Sequence, residues 1–208
     1  MFAVRWGIFV VPGLLTAAEV GSVSFNDLRL EAGPAPRITE VSANREGAKD
    51  RGATNVTWES TGRWSLMWVP PVGAASSEGD GMTILELTST RQVSSETALS
   101  QRLATRSMLA LVHLGIGISV DERATVEITG YGGAGLVWQE GSAALRGAWE
   151  AGIRLGGTWT FPGGGQLGLG LRVLVCEARP NVSLNGQTYN LVMRSQGFIP
   201  ALAVGWHF

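Results

Sequence analysis

The sequence predicts an all-β protein, a single eight-stranded antiparallel up-and-down transmembrane β-barrel. Three observations predict it. The stretch from Gly147 to Phe161 alternates without a break. Gly147, Trp149, Ala151, Ile153, Leu155, Gly157, Trp159 and Phe161 take one face, and Ala148, Glu150, Gly152, Arg154, Gly156, Thr158 and Thr160 the other. Successive side chains of a strand point to opposite faces, so a period of 2 reads as a strand and not a helix. The same alternation returns in several other long segments. The third observation is composition. Charged residues make up 16% of the chain, against roughly 25% in soluble domains. The 29 glycines are spread through the alternating segments and are not gathered in a linker.

The bulk properties narrow the function classes. With 208 residues the chain is long enough for one domain with a closed core. A net charge of -1 and the lack of a basic tract point away from nucleic acid as a partner. Mean hydropathy is only +0.15. Outside the N-terminus no apolar run approaches the roughly 20 residues of a spanning helix. Cys176 is the single cysteine, so an internal disulfide is excluded. His113, His207 and Cys176 have no metal-ligand spacing, and no cofactor motif is present. Gly130 to Gly135 (G-Y-G-G-A-G) lacks the strand-to-helix context and the lysine of a phosphate loop.

The first eighteen residues carry one positive charge, Arg5, then an apolar run from Trp6 to Leu15, then Thr16, Ala17 and Ala18. That order predicts a secretory signal peptide over 1–18 and a barrel domain over 19–208.

Each strand rests on its own pattern. Val20 to Leu30 holds a first strand with blurred alternation. Glu31 to Thr54, rich in Gly, Pro and charge, predicts a long polar loop with a short strand near Arg37 to Val41. Asn55 to Val69 predicts a second strand of unbroken parity, with Val56, Trp58, Trp64, Leu66 and Trp68 on its apolar face. Pro70-Pro71 ends it. Met82 to Arg91 predicts a third, with neither face clearly apolar. Gln92 to Thr105 reads as a loop in which Ala98, Leu99, Arg102 and Leu103 are spaced for a short helix.

From Arg106 the pattern strengthens. Met108, Ala110, Val112, Leu114, Ile116, Ile118 and Val120 share a face, and Ser107, His113, Gly115, Gly117 and Ser119 oppose them. Leu109 and Leu111 break the rule. Asp121-Glu122 is a tight turn. Ala124 to Gln139 sets Val126, Ile128, Ala134, Leu136 and Trp138 against Thr125, Glu127, Thr129 and Tyr131. Glu140 to Arg146 is a loop, the Gly147–Phe161 strand follows, and Pro162 to Gly165 turns the chain. Gln166 to Ala178 sets Leu167, Leu169, Leu171, Val173 and Val175 against Gly168, Gly170, Arg172 and Cys176. Arg179 to Gln187 is a loop, and a last strand lies within Thr188 to Phe208. Short turns then alternate with longer loops, as in outer-membrane barrels.

A soluble calycin would alternate equally well with its apolar face inward. The opposite faces decide the matter. They carry Gly, Ala, Ser and Thr with few charges, which suits the cramped interior of an eight-stranded barrel and not a wetted exterior. Leu, Val, Ile and Trp on the other face suit lipid, where only a closed barrel satisfies a strand backbone.

The alternating strands from Arg106 onward and the terminal L-A-V-G-W-H-F resemble the small eight-stranded outer-membrane barrels of the OmpA, OmpX and opacity-protein kind. In that class a terminal Phe with apolar residues at alternate preceding positions is the signal read by the barrel-assembly machinery, and Leu202, Val204, Trp206 and Phe208 match it. Ala203 stands where that class often has glycine. The resemblance implies a monomer in the bacterial outer membrane, in contact with outer-membrane lipid and lipopolysaccharide. It implies a structural or surface-interaction role without catalysis, through loops at Glu31–Thr54, Gln92–Thr105, Glu140–Arg146 and Arg179–Gln187. A narrow porin-like channel for small solutes and a lipid A-modifying enzyme are the alternatives.

Two sets of residues follow from the strand faces. Glu127, Glu150, Arg154 and Arg172 fall on the inner face of adjacent strands and must pair, because a lone buried charge is too costly. Such a network would plug the lumen or gate a narrow polar path. Trp138, Trp149, Trp159, Phe161, Trp206 and Phe208 fall at strand ends on the outer face and predict the aromatic girdles. His113 has inward parity and no partnering His-x-Ser motif, so a lipid-facing catalytic site is not evident.

Overall fold

The computed structural model describes residues 27–45, 51–53, 58–70, 80–94, 103–121, 123–184 and 186–208. All its elements are strands: β1 Asp27–Gly33, β2 Ile38–Arg45, β3 Arg51–Ala53, β4 Trp58–Val69, β5 Asp80–Ser94, β6 Ala104–Ser119, β7 Ala124–Gln139, β8 Arg146–Thr160, β9 Gly165–Ala178, β10 Asn181–Leu184 and β11 Gln187–His207. Eight of them pair antiparallel in the order β1-β4-β5-β6-β7-β8-β9-β11, and β1 pairs back onto β11. The ring is closed.

Its stagger can be read from the outward row. Trp159 lies beside Leu167, then come Val204, Leu30, Leu66, Leu87, Ala110 and Ala134, and the row returns to β8 at Trp149. One circuit therefore climbs from residue 159 to residue 149 of the same strand, a stagger of ten. With eight strands about 4.8 Å apart and a rise of about 3.3 Å per residue, that sets a tilt of about 40°. Trp149 and Trp159 are then separated by about 25 Å along the barrel axis, the height of an outer-membrane apolar band.

The faces divide as the alternation predicts. Ile153, Leu169, Phe198 and Leu202 are more than half exposed on the outside. Glu150, Arg154 and Arg172 on the same strands are at most 2% exposed. The connections 70–79, 120–123 and 161–164 and both ends of the ring, Asp27 and His207, share the turn end. The connections 34–57, 95–103, 140–145 and 179–186 share the loop end.

Several expectations need correction. The Glu31–Thr54 region is not mainly loop. Glu31 belongs to β1, and β2 pairs with the upper half of β11 and carries β3 on its other edge. The Arg179–Gln187 loop is largely a hairpin of β10 on β11. The ring itself has the eight predicted strands, and among the described residues three further short strands, β2, β3 and β10, lie beyond it, because the 21-residue β11 overhangs the barrel and supplies an edge for β2 and β10. The parity of β4 is broken by a bulge between Ser60 and Gly62. β5 runs on to Ser94, and β6 begins at Ala104. The signal peptide, the stretch Val20–Asn26 and the helix-spaced residues Ala98, Leu99 and Arg102 lie outside the described residues, whereas Leu103 is buried and not helical.

The interior also holds more apolar bulk than its composition suggested. Leu109 and Leu111, the two exceptions on β6, point inward and pack with Tyr131, Val137, Leu174 and Ile199. Met67, Val69 and Ile84 form a second cluster. Between β1 and β2 the chain turns into the mouth, where Ala35 and Pro36 are buried and Gln92 Nε2 donates to the Pro36 carbonyl at 3.3 Å.

Candidate functional site

The lumen is threaded by one chain of alternating acids and arginines. It begins at the turn end, where His207 Nδ1 lies 3.0 Å from Asp27. Asp27 bonds Arg29, and Arg29 bonds Glu127. Glu127 accepts from Arg154 Nη1 at 2.6 Å, and Arg154 donates through Nη2 to Glu31 at 2.9 Å. Glu31 is shared with Arg172, whose Nη1 reaches Glu86 at 2.8 Å. Arg63 bridges Glu86, at 3.2 Å, to Glu150, at 2.7 Å. The Tyr131 hydroxyl donates to Glu150 at 3.0 Å and ends the chain.

The strand faces explain the geometry. On β1 the sequence D-L-R-L-E turns Asp27, Arg29 and Glu31 inward and Leu28 and Leu30 to the outside. β4, β5, β7, β8 and β9 supply Arg63, Glu86, Glu127, Glu150 with Arg154, and Arg172. β11 supplies small residues instead. Ala201 and Ala203 line the lumen, and Gly205 lies against the Arg29 side chain. Glycines on β8 and β9 make further room. A Cβ on Gly156 would stand 3.0 Å from the Glu127 carboxylate, and one on Gly170 would stand 3.1 Å from Glu31.

His113 joins from β6. Its Nε2 lies 2.6 Å from Glu86, its Nδ1 lies 3.3 Å from Thr129 Oγ1, and its ring stacks on Tyr131 at 4.7 Å. Arg172 sits over the other aromatic partner of this group, 5.5 Å from the Tyr131 centroid. Among the described residues only Arg29 Nε, Arg63 Nε and Gln166 Oε1 are buried side-chain polar atoms without a partner. In a low-dielectric lumen an unpaired charge costs several kcal/mol, so near-complete pairing is the condition for five acids and four arginines to coexist there.

Of the four charges marked in the sequence, Glu127 and Arg154 meet directly. Arg172 reaches Arg154 only through Glu31, and Glu150 pairs across the lumen with Arg63. Asp27, Arg29, Glu31, Arg63 and Glu86 complete the chain and were not marked. The strict alternation of Asp27–Glu31 and the polar face of β4 were the available signals. A cavity of about 20 Å³ lies above the chain among Pro36, Thr90, Leu109, Glu150 and Met193. That is room for about one water.

A charged interior inside an apolar wall is the reverse of a soluble domain. No family model matches the sequence, and no curated protein matches it. The structure is similar to that of the outer membrane protein OprG from Pseudomonas aeruginosa, with a TM-score of 0.54 over 90% of this chain and 98% of that one, at 14% identity. The chain has the fold of an outer-membrane β-barrel. Looser likenesses are to Ail, the attachment invasion locus protein of Yersinia pestis (TM-score 0.38, 12% identity, 88% of this chain and 99% of that one), and to the outer membrane protein AlkL (0.43, 11%, 90% and 92%).

On an outer-membrane barrel the two ends of the outer face are the membrane boundaries. Trp159, Phe161, Trp206 and Phe208 lie on the outer face at the turn end, with Leu202 and Val204 exposed above them on β11. Trp149 and Trp138 lie at the loop end, Trp149 more exposed than Trp138. Arg91 and Arg106 are there too. Arg91 donates to Glu140 at 2.8 and 3.0 Å and Arg106 at 2.5 Å, and these bonds hold the Glu140 carboxyl down to about 2.

Proposed function

We propose that this chain is a non-enzymatic outer-membrane barrel whose work is done at its loop end. It is a monomer, exported by the 1–18 signal peptide, seated among outer-membrane lipid and lipopolysaccharide, and folded into place by the barrel-assembly machinery. Leu202, Val204, Trp206 and Phe208 are its assembly signal, and the outer aromatics are its membrane girdles.

The observation that carries the reading is the ion-pair chain. It crosses the lumen from Asp27 to Glu150 with its groups paired to one another, and apolar clusters fill the space beside it. A solute would have to break several buried pairs to pass. The loop end, by contrast, is elaborated: β2, β3 and β10 extend the sheet beyond the ring on the overhanging β11. A scaffold that closes its lumen and builds out its outer end is suited to surface contact. The buried position of His113, bonded to Glu86 and stacked on Tyr131, gives lipid no access to it and weighs against lipid A chemistry.

Single-channel recording in planar bilayers tests the reading. The expected trace has no conductance steps. Regular steps that vanish when Glu150 is changed to Gln would instead establish the narrow channel. A change in lipid A mass on expression would establish the enzyme.

A further inference from the structure

We propose that the overhang is a hinged cap that shuts the mouth of the barrel over a blind vestibule. The inference goes beyond surface contact, because it gives the loop end a moving part. It starts from an amphipathic sheet. Beyond the ring, β2 and β10 pair with the upper part of β11, and β3 pairs with β2. On one face of that sheet Ala43, Val182, Leu191 and Met193 are buried, with Val41 and Tyr189 packed beside them. A sheet with one apolar face must bury it against another element. Here the other element is the far wall. Leu103, just before β6, joins the same cluster and is 3% exposed. β6 and β11 stand four places apart in the ring of eight, so the contact spans the mouth. A polar contact adds to it: the Ser183 amide of β10 donates to Gln139 Oε1, at the end of β7, at 2.9 Å. With the tilt derived above, Leu103, Gln139 and Leu191 lie about 34–39 Å above Trp159, beyond the apolar band. Beneath them is the cavity of about 20 Å³, with Ser107, Ala148 and Ser195 in its wall and Glu150 of the ion-pair chain at its floor.

The attachments of the cap let it swing. Among the described residues β2 and β3 form no ladder with β4, so the sheet hangs on β11. The β11–β2 ladder slips between Arg194 and Ser195, and such an irregularity bends a strand. Gly197 lies just below it at a φ of 152°, a conformation that favours glycine. On the other edge β9 gives way to β10 at Arg179-Pro180. Gly197, Ser195 and Arg179 lie about 24–33 Å above Trp159, below the apolar cluster and near the upper edge of the lipid. Swinging the cap outward would uncover Leu103, Val182, Leu191 and Met193, so the closed position is the resting one. The ion-pair chain keeps the space under the cap closed from below.

The test uses the full barrel refolded in detergent micelles, with Cys176→Ser so that each engineered thiol stands alone. Ala148→Cys reports on the vestibule, and Ser65→Cys, at a buried position deeper in the lumen, serves as the control. The probe is a small cationic methanethiosulfonate, and the measurement is its rate of reaction. Ala148→Cys is expected to react slowly under the intact cap and at least about tenfold faster once Leu103→Asp removes the apolar bridge. Ser65→Cys should stay unreactive in both. The heat-dependent gel shift verifies folding, and Leu103→Ala takes the place of Leu103→Asp if the latter does not fold. An Ala148→Cys thiol that reacts under the intact cap as fast as free cysteine overturns the cap. One that never reacts overturns the hinge. A rate unchanged by the Leu103 substitution, or a Ser65→Cys thiol that becomes reactive with it, overturns the proposal as well, because the bridge then seals nothing or the whole barrel has loosened.

Discussion

The two faces of β8 and β9 handle charge in opposite ways. Inward, Arg154 stands opposite Arg172, two like charges facing each other on neighbouring strands. Outward, one residue along, Ile153 stands opposite Val173. The inner pair is tolerated because Glu31 is wedged between the two guanidiniums and Glu127 and Glu86 flank them. The outer pair needs no partner where the surrounding medium is hydrocarbon. Adjacent residues therefore separate two solvents: a dry ionic lumen that must be self-neutral and a lipid that admits no charge. Neither face alone identifies a membrane barrel. The contrast between them does.

Substitutions across that contrast should differ in size. Arg172→Ala strips a partner from both Glu31 and Glu86 and should cost about 3–5 kcal/mol, the range for breaking a buried ion pair. Urea unfolding of the barrel in lipid vesicles measures it, and a loss under about 1 kcal/mol would mean that water reaches the chain. Ile153→Arg places a charge near the middle of the apolar band and should cost about 2–4 kcal/mol in the same assay. The cost should shrink to about 0–1 kcal/mol for the same substitution at Phe161, in the turn-end girdle at the membrane boundary. An equal cost at both positions would argue that the outer face does not sense depth. Gly156→Ala drives a methyl group against Arg154 and Glu127 and should cost about 1–3 kcal/mol through overpacking, whereas Gly157→Ala, whose Cβ would meet nothing on the outside, should be close to neutral.

The smallest effect is electrostatic and lies beyond the membrane. Hydrogen bonds from Arg91 and then Arg106 lower the Glu140 carboxyl to about 2. Because its folded value lies below the ordinary carboxylate value, the contribution is fully present above about pH 4.5 and fades as the pH falls toward 2. The group is near the surface and solvent screens it, so the effect on overall stability should be small. An NMR titration of the Glu140 side chain should find no protonation above pH 4. A midpoint near 4.5 would mean that the two arginines do not hold it in solution.

Strands that touch lipid along most of their length were legible in the sequence, because lipid on one side and a crowded lumen on the other enforce the period of 2. β6, β7, β8, β9 and the lower half of β11 are of this kind. β1 was blurred because the strict alternation begins only at Asp27, and the segment before it masked the D-L-R-L-E pattern. β5 was ambiguous because Ile84 points inward and Ser89 outward, against the trend of each face. β2, β3 and β10 were read mainly as loop since they lie above the lipid band, and their pairing depends on the overhang of β11. The ion-pair chain was half visible. Parity placed Glu127, Glu150, Arg154 and Arg172 inside, but the partner of Glu150 is Arg63, 87 residues away, and only ring closure brings the two together.

The central claim is that the apolar faces meet hydrocarbon while the charges are sealed within. Tryptophan emission of the refolded barrel in vesicles tests it most directly, since Trp64, Trp149, Trp159 and Trp206 are all exposed on the outer face. Lipids brominated along their acyl chains should quench most of the emission, with aqueous acrylamide having little effect. Emission quenched by acrylamide and indifferent to bromolipid would contradict the account.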